Sequence, residues 1–87
     1  MISLDFAILK YFTEVEEACA QDITNALKQE YESFKDLKKR SVIMTLMTAE
    51  AFGAVKRTRF QFNENGKIEV YYCANEAENS DLVYKNN

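Results

Sequence analysis

Apolar residues recur at helical spacing through the first part of the chain. The first predicted helix extends from an N-cap at Ser3 to about Glu16, because its apolar positions repeat at intervals of four, three and four. These positions are Leu4, Ile8, Tyr11 and Val15. The same periodicity predicts a second, short amphipathic helix from about Ala20 to Glu32.

A third helix is predicted to begin between Ser33 and Leu37 and to continue to Phe52. Ser33 and Asp36 match a capping pattern in which a hydroxyl and a carboxylate satisfy free amides at the start of a helix. Gly53 follows, and glycine readily takes the left-handed conformation that ends a helix. The residues of this helix that we expect to face the core are Ile43, Leu46 and Met47.

Beyond Gly53 the apolar period changes from that of a helix to that of a strand, which predicts a β-hairpin. A three-residue loop at 64–66, with Gly66 in the left-handed position, keeps the apolar residues on one face. The cross-strand pairs in this register are Phe62 with Ile68, Phe60 with Val70 and Thr58 with Tyr72. We therefore expect Phe60, Phe62 and Tyr72 to be core residues.

The length of 87 residues allows one domain, which we expect at residues 1–74. An acidic polar tail follows at residues 75–87, and we expect it to be frayed. Its apolar residues could dock on the body of the protein or on a second subunit; they are Leu82, Val83 and Tyr84.

The composition argues against enzymatic activity. The chain has no histidine, no glycine-rich phosphate loop and only two cysteines, Cys19 and Cys73, which are far apart. No apolar stretch approaches the roughly 18–20 residues of a membrane span. We expect a cytoplasmic protein that is not an enzyme and has no cofactor, no metal, no small-molecule ligand and no contact with a membrane.

The distribution of charge is more informative than its sum. The net charge of −3 argues by itself against a polyanionic partner. Residues 35–67, however, hold eight Lys or Arg and three acidic residues. Residues 1–34 hold two Lys and seven acidic residues. Residues 68–87 are again acidic, with one Lys and four acidic residues. A basic middle between acidic flanks predicts a directed electrostatic surface.

The order of elements and two segments of sequence carry a resemblance to a known family. The segment DITNAL resembles the first helix of a helix-turn-helix motif, and KKRSVIMTLMTAEAFGAVKR resembles a recognition helix that leads into a wing strand. The chain thus resembles the winged helix-turn-helix DNA-binding proteins, small bacterial, phage or plasmid transcription regulators, over residues 4–74. The segment QEYESFKD is longer than the connection in compact members. The fold implied is α+β, with three helices followed by a two-stranded β-hairpin wing.

The resemblance implies that the third helix enters the major groove of double-stranded DNA and that the hairpin meets the phosphate backbone. Cations cluster at the N-terminal end of that helix and on the hairpin, and small hydroxyl side chains lie between them. The expected DNA-binding residues are Lys35, Lys38, Lys39, Arg40, Ser41, Thr45, Thr48, Lys56, Arg57, Arg59 and Lys67.

A second apolar stripe on the first helix predicts a homodimer. Ile2, Phe6 and Leu9 lie roughly opposite the first apolar face, and a monomer would have difficulty covering both. Ordinary burial beneath the tail is the alternative for these three residues.

The alternative function is a winged-helix module for protein contacts, either an assembly subunit or a mobile-element inhibitor, that does not bind DNA. The acidity outside the basic block favours this alternative, and so do the few side chains that could discriminate between bases.

Overall fold

A computed structural model of the protein describes residues 2–75, in which three α-helices pack beside a three-stranded antiparallel sheet. In chain order the elements are α1 (Leu4–Tyr11), β1 (Ala18–Cys19), α2 (Ala20–Glu30), a 3₁₀ helix (Glu32–Phe34), α3 (Lys39–Ala51), β2 (Val55–Phe62) and β3 (Ile68–Ala74). The strand order is β1-β3-β2. The predicted α+β class and the order of three helices followed by a hairpin are confirmed.

Helix α1 begins where the sequence predicts and ends earlier. The Ser3 hydroxyl accepts a hydrogen bond from the Phe6 amide at 3.2 Å, which is the expected N-cap. The helix stops at Tyr11 instead of Glu16. At this end, both the amide and the hydroxyl of Thr13 donate to the Lys10 carbonyl, at 3.0 and 2.6 Å, and close a turn.

The sequence pattern does not reveal the strand β1. Ala18 and Cys19 are both buried and pair with Tyr72 and Tyr71 of β3. The expected two-stranded hairpin is therefore two strands of a three-stranded sheet, and β3 is the central strand. Two residues are too few to show the alternation that predicts a strand.

The predicted start of the third helix is wrong. Ser33 lies in the 3₁₀ helix, and α3 begins after Lys38, an N-cap residue whose side chain accepts no hydrogen bond from the first turn. Where the chain passes from α2 to α3, Tyr31 and Phe34 stack edge to face at 5.6 Å between ring centroids. Both rings pack against the core and hold this connection on the body.

Helix α3 is rotated relative to the prediction. Val42 and Leu46 are buried in a core that they share with Ile23 and Leu27 of α2. Of the three residues expected to face inward, Leu46 alone does so. Ile43 is 40% exposed and Met47 is 53% exposed, so these two predictions are wrong.

The hairpin has the predicted loop and most of the predicted register. Gly66 has a φ of 75°, Phe62 pairs with Ile68, and Phe60 pairs with Val70. The predicted pair of Thr58 with Tyr72 is wrong, because the register shifts at Thr58. Arg57 there pairs with Tyr72, and Arg59 with Tyr71.

Two aromatic residues of the wing lie outside the core. Phe60 is 68% exposed and Phe62 is 65% exposed, although Tyr72 is buried as expected. Along β2, which is an edge strand of the sheet, Val55 is buried and every residue after it is exposed. The prediction that Phe60 and Phe62 are core residues is therefore wrong.

The first helix contributes one exposed aromatic residue. Of the expected dimer residues, Ile2 and Leu9 are half-buried and pack against the core of the same chain, whereas Phe6 is exposed. The apolar tail residues Leu82, Val83 and Tyr84 lie outside the described residues. Within residues 2–75, no helix has the length and apolar character needed to cross a bilayer.

The buried contact between α2 and α3 gives a first prediction. Replacing Leu27 by Ala should lower the free energy of unfolding by about 2–5 kcal/mol, because it leaves a cavity in the core. Urea denaturation measures this change. The control is Phe6→Ala, which truncates an exposed side chain. A loss for Leu27→Ala no larger than that of the control would contradict this description of the core.

Candidate nucleic-acid interface

The structure brings the predicted basic residues to α3, to the segment before it and to the wing. Lys38 is the N-cap of α3, and Lys39 and Arg40 form its first turn. Lys35 is not on this helix. It ends the 3₁₀ helix, where its ammonium lies 3.6 Å from the exposed carboxylate of Glu32.

The hydroxyl residues of α3 are less available than the sequence suggests. Ser41 and Thr48 are exposed, but the Thr48 hydroxyl donates to the Met44 carbonyl at 3.1 Å. Thr45 is half-buried. The helical line that is most exposed contains Arg40, Met44 and Met47, at spacings of four and three residues.

Carboxylates lie among the cations of the predicted interface. The sequence does not indicate that these groups are close in space. Two ion pairs join α3 to the hairpin. Lys39 Nζ lies 2.8 Å from Glu69 Oε2, and Arg57 Nε lies 2.9 Å from Glu50 Oε2. These two cations are therefore already neutralised in part by the protein itself.

A third ion pair holds the wing to the segment that precedes β1. Arg59 donates from Nε and Nη2 to Glu17 Oε2 at 2.8 and 2.6 Å, and its guanidinium lies 3.9 Å from the centre of the Tyr71 ring. Thr58 also donates to Glu17, at 3.0 Å. At the register shift, Thr58 and Arg59 thus make three hydrogen bonds to one carboxylate.

The ion pairs change the acidity of their carboxyl groups. The hydrogen bond from Lys39 is the main reason that the pKa of Glu69 lies below its usual value, and Asn63 donates to the same oxygen at 3.2 Å. The hydrogen bond from Arg59 likewise lowers the pKa of Glu17. Both carboxylates therefore stay charged to lower pH than an isolated glutamate.

Four cations of the predicted interface form no ion pair with any residue between 2 and 75. They are Lys38, Arg40, Lys56 and Lys67, and all four are exposed. The unpaired part of the predicted basic surface is therefore smaller than the sequence suggests. It comprises the N-terminal end of α3 and two positions of the wing.

A cavity of about 220 Å³ separates α3 from the wing. Ile43 and Met47 of α3 line it on one side, and Ile68 and Val70 of β3 line it on the other. Lys39, Arg57 and Glu69 also border it. Sequence reasoning missed this apolar cavity because it placed Ile43 and Met47 in the core.

The two cysteines are free thiols. Cys19 is buried, and burial raises the pKa of its thiol, while Cys73 is half-buried. Across the described part of the chain, His, Cys, Asp and Glu side chains form no group that could hold a metal ion.

These elements define the winged helix-turn-helix fold, in which α2 and α3 form the helix-turn-helix and β2 and β3 form the wing. The chain is similar to Bacillus subtilis PadR, whose crystal structure was solved in complex with operator DNA, with a TM-score of 0.71 and 22% identity. The match covers 97% of this chain and 48% of the PadR chain, so the chain spans about half the length of that protein.

A second similar structure is Stf76 from the Sulfolobus islandicus plasmid-virus pSSVx. Its TM-score is 0.60 and its identity is 21%, and the match covers 93% of this chain and 94% of Stf76. No protein-family model and no curated protein matches the sequence. The likeness to both structures supports the fold.

The ion pair between α3 and the wing predicts a dependence of stability on pH. A carboxyl with a lowered pKa stabilises the folded state above its unfolded pKa of about 4.5, and this contribution is lost as the pH falls through the lower folded value. Replacing Glu69 by Gln should therefore make the free energy of unfolding fall less steeply below pH 4.5.

The measurement is urea denaturation at a series of pH values between 7 and 3. The control is Glu64→Gln, which removes an exposed carboxylate of the hairpin loop and leaves the Lys39–Glu69 pair intact. If Glu69→Gln and wild type lose stability equally with acid, the ion pair does not stabilise the fold.

Proposed function

We propose that the protein is a small DNA-binding transcription regulator that places α3 in the major groove and the wing on the phosphate backbone. One observation carries this proposal. Lys38 and Arg40 are exposed at the N-terminal end of α3, and neither forms an ion pair within the described residues. The likeness to PadR, which was solved with operator DNA, adds support through the fold.

The N-terminal end of α3 suits a phosphate for two physical reasons. Free backbone amides at this end carry a partial positive charge, and Lys38 and Arg40 add two full charges. Each phosphate that is neutralised releases condensed cations from the DNA, so affinity falls as salt rises. Lys56 and Lys67 would add further contacts from the wing.

The cations that form ion pairs within the protein could bind phosphate only after those ion pairs break. Lys39, Arg57 and Arg59 would have to exchange a carboxylate for a phosphate before they could neutralise DNA. We therefore assign the strongest phosphate contacts to the unpaired cations. Ser41 and Thr48 border the helix face that would enter the groove, and Thr45 and Lys35 lie farther from it.

Dimerisation is part of the proposal. One subunit has few side chains that discriminate between bases, so its specificity for a half-site is modest. A dimer would double the contacts with DNA and raise the specificity. Phe6 is the exposed residue of α1 that would contact a second subunit, with Ile2 and Leu9 beside it. A cytoplasmic location follows from a regulator that acts on DNA.

A second candidate function is a protein-interaction module. The exposed side chains of Phe60, Phe62 and Ile68 form an apolar face on the wing, and such faces commonly contact proteins. A stoichiometric protein partner that is retained after nuclease treatment would favour this candidate.

The unpaired cations of α3 give a direct test of DNA binding. The double variant Lys38→Ala/Arg40→Ala should bind duplex DNA on the order of tenfold more weakly at low salt. The slope of log affinity against log salt should become shallower by about 0.9 for each phosphate that the variant no longer neutralises. Fluorescence anisotropy of a labelled duplex at several salt concentrations measures both quantities.

The matched control is Lys10→Ala/Lys28→Ala, which removes two exposed cations from α1 and α2 and changes the net charge equally. An equal loss of affinity in this control would show a nonspecific effect of net charge. Absence of binding by the wild type at low salt would refute the proposed function.

Removal of a carboxylate near the predicted interface should strengthen DNA binding, whereas removal of a cation should weaken it. Replacing Glu17 by Gln should strengthen duplex binding by about two- to fivefold, because it removes a negative charge and releases Arg59 for a phosphate. The same anisotropy titration measures this increase in affinity, and circular dichroism checks that the wing stays folded. The control is Glu30→Gln at the end of α2, which should have a smaller effect. Unchanged or weaker binding by a folded Glu17→Gln variant would exclude Arg59 as a latent phosphate contact.

A further inference from the structure

The outer face of α3 is apolar at its centre. Met44 is 60% exposed and Met47 is 53% exposed, and both lie on the line that begins with Arg40. Since Val42 and Leu46 occupy the core, the rotation of the helix directs Met44 to solvent and places Met47 between this outer face and the cavity beside the wing. Both side chains nevertheless remain more than half exposed.

We infer that Met44 and Met47 read thymine methyl groups in the major groove, so that the preferred duplex is rich in A·T pairs with thymines facing α3. This inference rests on the proposed function and adds a substrate class to it. The thymine C5 methyl is the apolar group that a base pair presents in the major groove, and apolar side chains distinguish it by contact.

The charges along α3 favour DNA over an apolar protein surface. Arg40 lies on the same line as the two methionines, and Lys38 lies just before the helix. The single carboxylate of α3 is Glu50, which is directed toward the wing and pairs with Arg57. The outer face therefore combines apolar side chains with a cation, which is complementary to a groove lined by phosphates.

Hydrogen-bonding side chains are scarce on this face. The Thr48 hydroxyl already donates to the Met44 carbonyl, and Thr45 is half-buried. Arg40 is the remaining side chain that could make a bidentate contact to guanine. Recognition by α3 should therefore depend more on methyl contacts than on hydrogen bonds. Its 13 residues span about 20 Å, which is long enough for several base pairs.

The experiment first needs a duplex that the protein binds well. The full chain is used to select one from a pool of random 20-bp duplexes, and footprinting defines the protected bases. The selected duplex is then made with deoxyuridine in place of each protected thymidine, which removes the methyl group alone. A duplex with uracil only outside the footprint is the control.

We expect the uracil duplex to bind about three- to fivefold more weakly for each methyl group that α3 can no longer touch, and the control duplex to bind as the selected one does. The double variant Met44→Ala/Met47→Ala should bind thymine and uracil duplexes equally. Phe52→Ala should keep the discrimination, because Phe52 is 77% exposed but lies at the end of α3. Circular dichroism checks the fold of both variants.

Each other outcome has a distinct meaning. Equal binding of thymine and uracil duplexes by the wild type overturns the inference and leaves DNA binding intact. Failure to select any duplex overturns the proposed function, and with it the inference. If the double variant instead changes self-association in sedimentation and keeps the discrimination, this face contacts protein and the inference is wrong.

Discussion

The burial of Val42 and Leu46 against α2 determines which side of α3 is available to a partner. Both residues are almost fully buried in the core that includes Ile23 and Leu27. Their spacing of four residues fixes the rotation of the helix about its axis. Arg40 and Met44 consequently face solvent, while Met47 lies at the edge of the flank that lines the cavity beside the wing. The chemistry of the proposed interface depends on this packing.

Ion pairs then determine how much of the basic charge remains for a partner. Lys39, Arg57 and Arg59 each contact a carboxylate and hold the wing to the body. Ion pairs that are at least partly exposed stabilise a fold weakly, but they lower the local positive potential. The sequence indicates a block of positive charge and cannot indicate the partner of each charge, since Glu17 and Glu69 are distant from their partners along the chain.

The parts of the fold that follow from local rules were predictable. The Ser3 cap, helix α2 and the loop at Gly66 each depend on residues close together in sequence. The rotation of α3 could not be predicted in this way. Two overlapping sets of apolar residues in this helix have helical spacing, and tertiary packing selects which set is buried. Alternation likewise predicts which residues of the wing share a face. It does not tell whether another element covers Phe60, which in this fold stays exposed.

The most direct test of the proposed binding mode is whether the outer face of α3 touches DNA. Methyl NMR of protein labelled with ¹³C at the methionine methyl groups reports on Met44 and Met47, and Met→Leu variants assign the two resonances. On addition of a bound duplex, we expect both resonances to shift and to saturate at the stoichiometry of binding. Saturated binding with both resonances unchanged would place the contact elsewhere and contradict this binding mode.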